Sequence, residues 1–118
     1  MNEKCNPNVI DSIPRTEFSS RFVQLMQNRM VTSYYKYGPI KTNLENRYTD
    51  TMASLEKRLQ KYRETGNTEW LIDAANMCMM EFMYPQHPKA HFRATDSHES
   101  PGVVGLPINL AKEIKKHD

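Results

Sequence analysis

Residues 43–83 read NLENRYTDTMASLEKRLQKYRETGNTEWLIDAANMCMMEFM, and this stretch decides the fold class. Its first part has an apolar residue on each successive helical turn, at Leu44, Tyr48, Met52, Leu55, Leu59 and Tyr62. This spacing is typical of one amphipathic helix. Thr42 and Glu45 are three residues apart, as the N-cap and N3 residues of a capping box are. We therefore predict a helix over 43–65 that ends at Gly66.

A second helix follows almost at once, because only Gly66 and Asn67 separate the two segments. Asn67 is a suitable N-cap for a helix over 68–83. The sequence of this helix is apolar on nearly every side, which is typical of a helix at the centre of a bundle. A linker this short makes consecutive helices pack antiparallel. The sequence therefore predicts that an antiparallel helix pair forms the core.

The flanking segments differ in character from this pair. Thr16 is a plausible N-cap for an earlier amphipathic helix, and Gly38 followed by Pro39 would end it. Prolines and polar turn residues dominate the stretch after Tyr84, so it resembles a long irregular loop. The fold class is all-α, a small helical bundle. We predict an extended arm over 1–15 and one helical domain over 16–118, with helices at 16–37, 43–65, 68–83 and 107–116 and a loop at 84–106.

The composition suits one domain and restricts the partners. The 118 residues are 38% hydrophobic and 25% charged, with a formal net charge of +2, so no strong nucleic-acid signal is present. The opening MNEKCNPN resembles no secretory signal, and no apolar run is long enough to cross a membrane. With two cysteines, we expect a reducing cytoplasmic location. Eight methionines indicate more apolar surface than a monomer easily covers, which favours a homo-oligomer.

One polar stripe interrupts the apolar helix 68–83. Glu69, Asp73 and Asn76 follow at helical spacing and share one face. A carboxylate on such a helix needs a partner, a metal or a cavity, and these oxygen ligands suit Mg²⁺. The alternative is that this stripe is only the solvated edge of an amphipathic helix.

The helix 43–65 has a matching stripe of Asn46, Asp50 and Ser54, with Arg47 and Lys57 close by. If the two stripes face each other, Asp50 would join the two acids of the next helix around Mg²⁺. Arg47 or Lys57 would then neutralise a phosphate. Alternatively, Asp50 pairs with one of these cations on a solvated face.

A family resemblance rests on the same residues. Arg47-Tyr48-Thr49-Asp50-Thr51 resembles the second helix of MazG-like all-α nucleoside triphosphate pyrophosphatases, especially small phage-type relatives. The stretch from Glu69 to Asp73-Ala74-Ala75-Asn76 is similar to the acidic helix that follows in that superfamily. The resemblance covers residues 43–83 and implies an oligomeric helical bundle that uses Mg²⁺ to release pyrophosphate from nucleotides.

The resemblance implies specific roles for the polar side chains. Because the Glu-x-x-Glu motif of the family is missing from 43–65, nucleotide binding without cleavage is an open alternative. The predicted site residues are Asp50, Glu69 and Asp73 as catalytic groups and Mg²⁺ ligands, with Arg47, Lys57, Asn76 and Arg93 binding substrate.

The loop and the tyrosines support a different hypothesis. Arg93 and the hydroxyl groups after it could bind phosphate, or the loop could be merely solvated. Tyr34, Tyr35 and Tyr37 could stack on a base or simply pack. The alternative function is therefore a non-enzymatic phage or bacterial module. It would sequester a ligand or dock on a partner through its Met- and Tyr-rich helical surface and the loop 84–106.

Overall fold

A computed structural model describes Val9 and residues 11–95, and within them all regular structure is helical. The prediction of an all-α fold is therefore confirmed for this part of the chain. The predicted last helix, the end of the loop and most of the N-terminal arm lie outside the described residues. The elements are a 3₁₀ turn at Arg15–Glu17, α1 at Ser20–Tyr37, α2 at Ile40–Glu45, α3 at Thr51–Thr65 and α4 at Glu69–Met83.

The helices α3 and α4 form the predicted antiparallel hairpin. Gly66 ends α3 in the left-handed conformation, with φ of 72°, and its N–H donates to the Tyr62 carbonyl at 2.8 Å. The Asn67 side chain then accepts from the Glu69 N–H at 3.0 Å, which satisfies a free donor at the start of α4. Thr51, the first residue of α3, bonds to Glu81 near the end of α4. The two helices therefore run in opposite directions.

The predicted single helix over 43–65 is wrong, because the chain leaves the helical path after α2. Arg47 adopts a left-handed conformation, with φ of 57°. Its N–H donates to the Leu44 carbonyl at 3.1 Å, and the Tyr48 N–H donates to the Asn43 carbonyl at 2.8 Å. This pair of bonds is the Schellman motif that ends helices. The left-handed position usually holds glycine, so the helical spacing of the apolar residues concealed this break.

The helix α3 starts at a different cap from the predicted one. Asp50 precedes α3, and its carboxylate accepts from the Ala53 N–H at 2.9 Å. The predicted capping box at Thr42 and Glu45 is wrong, since both residues lie within the short helix α2. Asp, Ser, Thr and Asn are all strong N-caps, and the chain offers several in succession.

The start of α1 is also later than predicted. Ser19, not Thr16, is the N-cap, and its hydroxyl accepts from the Phe22 N–H at 3.0 Å. Thr16 belongs to the 3₁₀ turn instead. The end of α1 is as predicted, because Gly38 follows Tyr37 with φ of 83° and bonds to the Tyr34 carbonyl at 2.8 Å.

The buried apolar side chains of the described residues lie mainly on α4. They are Leu44, Ile72, Ala74 and Met80. Both α3 and α1 pack against this helix. No helix in the described part is both long and apolar enough to cross a membrane.

Candidate functional site

A cavity of about 580 Å³ lies between α1, α2, α3 and α4, and we call it the interhelical cavity. The segment between α2 and α3 forms part of its wall through Tyr48, Thr49 and Asp50. The break in the predicted helix therefore helps to shape the cavity. Because the lining contains both charged and apolar groups, the cavity is suited to a polar ligand.

Asn76 lines this cavity and has a buried acceptor. The residue is 4% exposed, and its Nδ2 donates to the Met26 carbonyl of α1 at 3.1 Å. That bond fixes the orientation of the amide, because only the NH₂ group can donate to a carbonyl. The Oδ1 atom is buried and has no hydrogen-bond partner among the described residues. A buried acceptor without a partner destabilises a protein by about 1–3 kcal/mol.

Arg58 lines the same cavity and has a buried donor. Its Nη1 donates to the Ser54 carbonyl at 3.1 Å, while its Nε is buried without a hydrogen-bond partner in the described part of the chain. No carboxylate within the described ranges forms a salt bridge with this half-buried guanidinium. Buried cations normally have a counter-charge. Arg58 is therefore a cation to which an anionic ligand would supply the counter-charge.

Asp73 has a cationic partner on α1. Arg29 donates from Nε to Oδ1 at 3.0 Å and from Nη2 to Oδ2 at 3.3 Å, so both carboxylate oxygens are engaged. The Nη1 atom of Arg29 is also 3.8 Å from a carboxylate oxygen of Glu69. The Asp73 side chain is only 12% exposed, and a two-bond Arg–carboxylate pair is among the stronger ion pairs.

Acidic residues of the predicted Mg²⁺ site have other partners in this structure, and Mg²⁺ binding stays a prediction. The Arg29 guanidinium bonds to both oxygens of Asp73 and lies 3.8 Å from a carboxylate oxygen of Glu69, so it supplies positive charge to both acids. Asp50 uses one carboxylate oxygen as the cap of α3. Within the described ranges, no group of three or more His, Cys, Asp or Glu side chains is placed to hold a metal ion.

The cavity brings some of the predicted residues together and leaves others apart. Its lining includes Asp50, Asp73 and Asn76, but not Glu69. Of the predicted cations, Arg47, Lys57 and Arg93 are exposed and outside the cavity lining.

Sequence reasoning missed the two arginines of the site. Arg58 continues the steps of four from Asp50 through Ser54, so extending the polar stripe by one turn would have found it. Arg29 has no such signal, because its partner Asp73 is 44 residues away in the chain.

A cluster of hydrogen-bonded polar groups holds the segment between α2 and α3 that forms part of the cavity wall. Thr51 is 1% exposed, and its hydroxyl donates to the Glu81 carboxylate. The other oxygen of Glu81 accepts from the Gln86 N–H at 2.8 Å, and Gln86 Nε2 donates to the Thr49 carbonyl at 3.0 Å. Through Gln86, the end of α4 therefore holds the segment that lines the cavity.

The same cluster changes the acidity of Glu81. The hydrogen bond from Thr51 lowers the pKa of the carboxyl group, and burial opposes it by raising the pKa. Backbone N–H groups of Gln86 and His87, together with the charge of His87, lower it further. The net result is a pKa below the ordinary value, so the carboxylate is the form that the cluster stabilises.

The chain matches no protein-family model, and no curated protein or solved structure is significantly similar to it. The MazG-like resemblance therefore stays a prediction.

Proposed function

We propose that the protein binds a nucleoside phosphate in the interhelical cavity and does not hydrolyse it. One observation carries the proposal: Arg58 and Asn76 line the same cavity, and each has a buried polar atom, Nε and Oδ1 respectively, without a partner among the described residues. A ligand that offers both an anion and a hydrogen-bond donor would satisfy both atoms. Each hydrogen bond gained would remove a penalty of about 1–3 kcal/mol.

The other lining groups favour a nucleotide within the class of small anions. Lys36 adds a second cation, and a phosphate is the anion that cations bind in this way. Tyr37 and Tyr48 line the cavity as well, and tyrosine rings stack on nucleobases. The amide oxygen of Asn76 can accept from an amino or hydroxyl group of a base or sugar. The cavity volume lies within the range of about 300–1,000 Å³ typical of small-molecule sites.

Binding without hydrolysis follows from the partners of the acidic residues. Asp73 is paired with Arg29 through both oxygens, and Asp50 caps α3. A Mg²⁺-dependent pyrophosphatase would have to break the first pair and recruit the second carboxylate away from its cap. We therefore expect nucleotide binding to be independent of Mg²⁺.

The first test is thermal unfolding with nucleoside mono-, di- and triphosphates, each with and without Mg²⁺. A ligand at about one hundred times its Kd stabilises the native state by about 2.7 kcal/mol through mass action. The matched variants are Arg58→Gln and Lys57→Gln, which remove the same charge from adjacent positions inside and outside the cavity. We expect the shift to be lost in the first variant and retained in the second. Lys36→Gln, at an exposed position on the cavity, should weaken the shift without affecting the fold.

Two results would contradict this function. A shift that needs Mg²⁺, accompanied by pyrophosphate release that Asp73→Asn abolishes, would support the hydrolase instead. Equal shifts in the two matched variants, or no shift with any nucleotide, would remove the interhelical cavity as a nucleotide site.

A further inference from the structure

A patch of exposed side chains on α1 has no role in the cavity. Val31, Tyr34 and Tyr35 are adjacent on the helix surface, because residues three and four apart are neighbours in a helix. Tyr35 is 83% exposed, and the other two are more than half exposed. The two rings meet edge to face, with centroids 5.4 Å apart. We call these three residues the tyrosine patch, and none of them lines the cavity.

The tyrosine patch lies in a basic segment of the described chain. Residues 20–48 carry one acidic side chain, Glu45, against five basic ones, which gives this segment a net charge of +4. Because the whole chain has a net charge of +2, the remainder is net negative. The basic side chains of the segment are Arg21, Arg29, Lys36, Lys41 and Arg47, and Arg29 among them is already paired with Asp73.

The charge of α1 decides between two kinds of occupant. A second copy of this chain could cover the patch with its own α1, but α1 has no acidic residue, and Arg21 and Lys36 remain as basic residues besides the paired Arg29. Two such helices would repel each other. A polyanion with planar rings satisfies both features, because its phosphates pair with the cations and its bases stack on the tyrosines.

We propose that α1 and α2 bind single-stranded nucleic acid, with unpaired bases stacked on the tyrosine patch. Lys36 lies 5.1 Å from the ring centroid of Tyr37, so a cation and an aromatic ring are already adjacent at the end of α1. Paired bases cannot stack on these rings, so a duplex would bind more weakly than a single strand. This activity is distinct from mononucleotide binding in the cavity, because Tyr35 and Lys41 lie outside the cavity lining.

The experiment is fluorescence anisotropy of a labelled oligothymidylate of about 15 nucleotides with the full chain, over a range of salt concentrations. We expect Tyr35→Ala to lower the affinity by about 5- to 150-fold, the effect of losing one stacked base, and Tyr35→Phe to retain it. Lys41→Gln should reduce the slope of log affinity against log salt by about 0.7. Phe82→Ala is the matched control, since Phe82 is 73% exposed but lies on α4.

Several outcomes would overturn the inference. These are no binding at low salt, equal losses in Tyr35→Ala and Phe82→Ala, and duplex binding as tight as single-strand binding. Light scattering that shows self-association lost in Tyr35→Ala, without oligonucleotide binding, would assign the patch to a second copy. The variant Arg58→Gln separates the two sites. It should abolish the mononucleotide response and leave oligonucleotide affinity unchanged.

Discussion

Removing the hydroxyl of Thr51 should lower the free energy of unfolding through the loss of one hydrogen bond between α3 and α4. Thr51 is 1% exposed, and its hydroxyl donates to the charged carboxylate of Glu81 on the neighbouring helix. Thr51→Val replaces the hydroxyl with a methyl group of similar size, so packing is conserved and one hydrogen bond is lost. Hydrogen bonds to charged groups contribute about 1.5–3 kcal/mol. We expect a loss of about 2 kcal/mol in the free energy of unfolding.

This loss can be measured by urea unfolding followed by circular dichroism. With a denaturant slope of about 1–2 kcal/mol/M, the midpoint should fall by about 1–2 M without a change in slope. The control is a double-mutant cycle with Glu81→Gln, in which Thr51→Val should cost less because the charge is gone. A Thr51→Val midpoint within error of the wild type, or the same cost in both backgrounds, would refute the assigned hydrogen bond.

Three further predictions concern single groups. Arg47→Gly should stabilise the protein by about 0.5–1 kcal/mol in the same urea assay, because glycine adopts the left-handed conformation without the clash of a Cβ atom; a destabilised variant would contradict the Schellman ending of α2. Asp50→Ala should cost about 1 kcal/mol through loss of the α3 cap, whereas Asp50→Ser should cost much less, and equal costs would show that the cap is not used. Because the folded-state pKa of Glu81 is lowered, its stabilisation is complete above the ordinary carboxyl pKa of about 4.3 and is lost as the pH falls through the lower folded value. Unfolding measured from pH 6 downwards should therefore show an acid loss of stability that is reduced in Glu81→Gln, and identical profiles would contradict it.

The helical class and the central hairpin are determined by the sequence alone. The apolar residues of 43–83 recur at helical spacing, and Gly66 with Asn67 leaves the two helices no arrangement other than antiparallel. These are local signals, because a helix forms from bonds between residues four apart and a short linker restricts direction. The all-apolar character of α4 likewise predicts a central position, and Ile72, Ala74 and Met80 of this helix are buried.

The sequence predicts the helix boundaries less accurately than it predicts the helices. Several good N-caps compete near each start, and their side chains differ little in intrinsic preference. The end of α2 depends on Arg47 in a left-handed conformation that glycine normally adopts. Because no glycine stands at this position, the residue types did not predict the end of the helix.

Only the tertiary structure decided which side chains form the site. Asp73 meets Arg29 from another helix, Asn76 bonds to the Met26 carbonyl, and Gln86 holds the Thr49 carbonyl. Each of these partners is more than 30 residues away in the chain, so helical spacing contains no information about it. Periodicity shows which face of a helix is polar, but the crossing of the helices selects which polar groups meet. That is why periodicity predicted neither the pairing of Asp73 with Arg29 nor the meeting of Arg58 and Asn76 at one cavity.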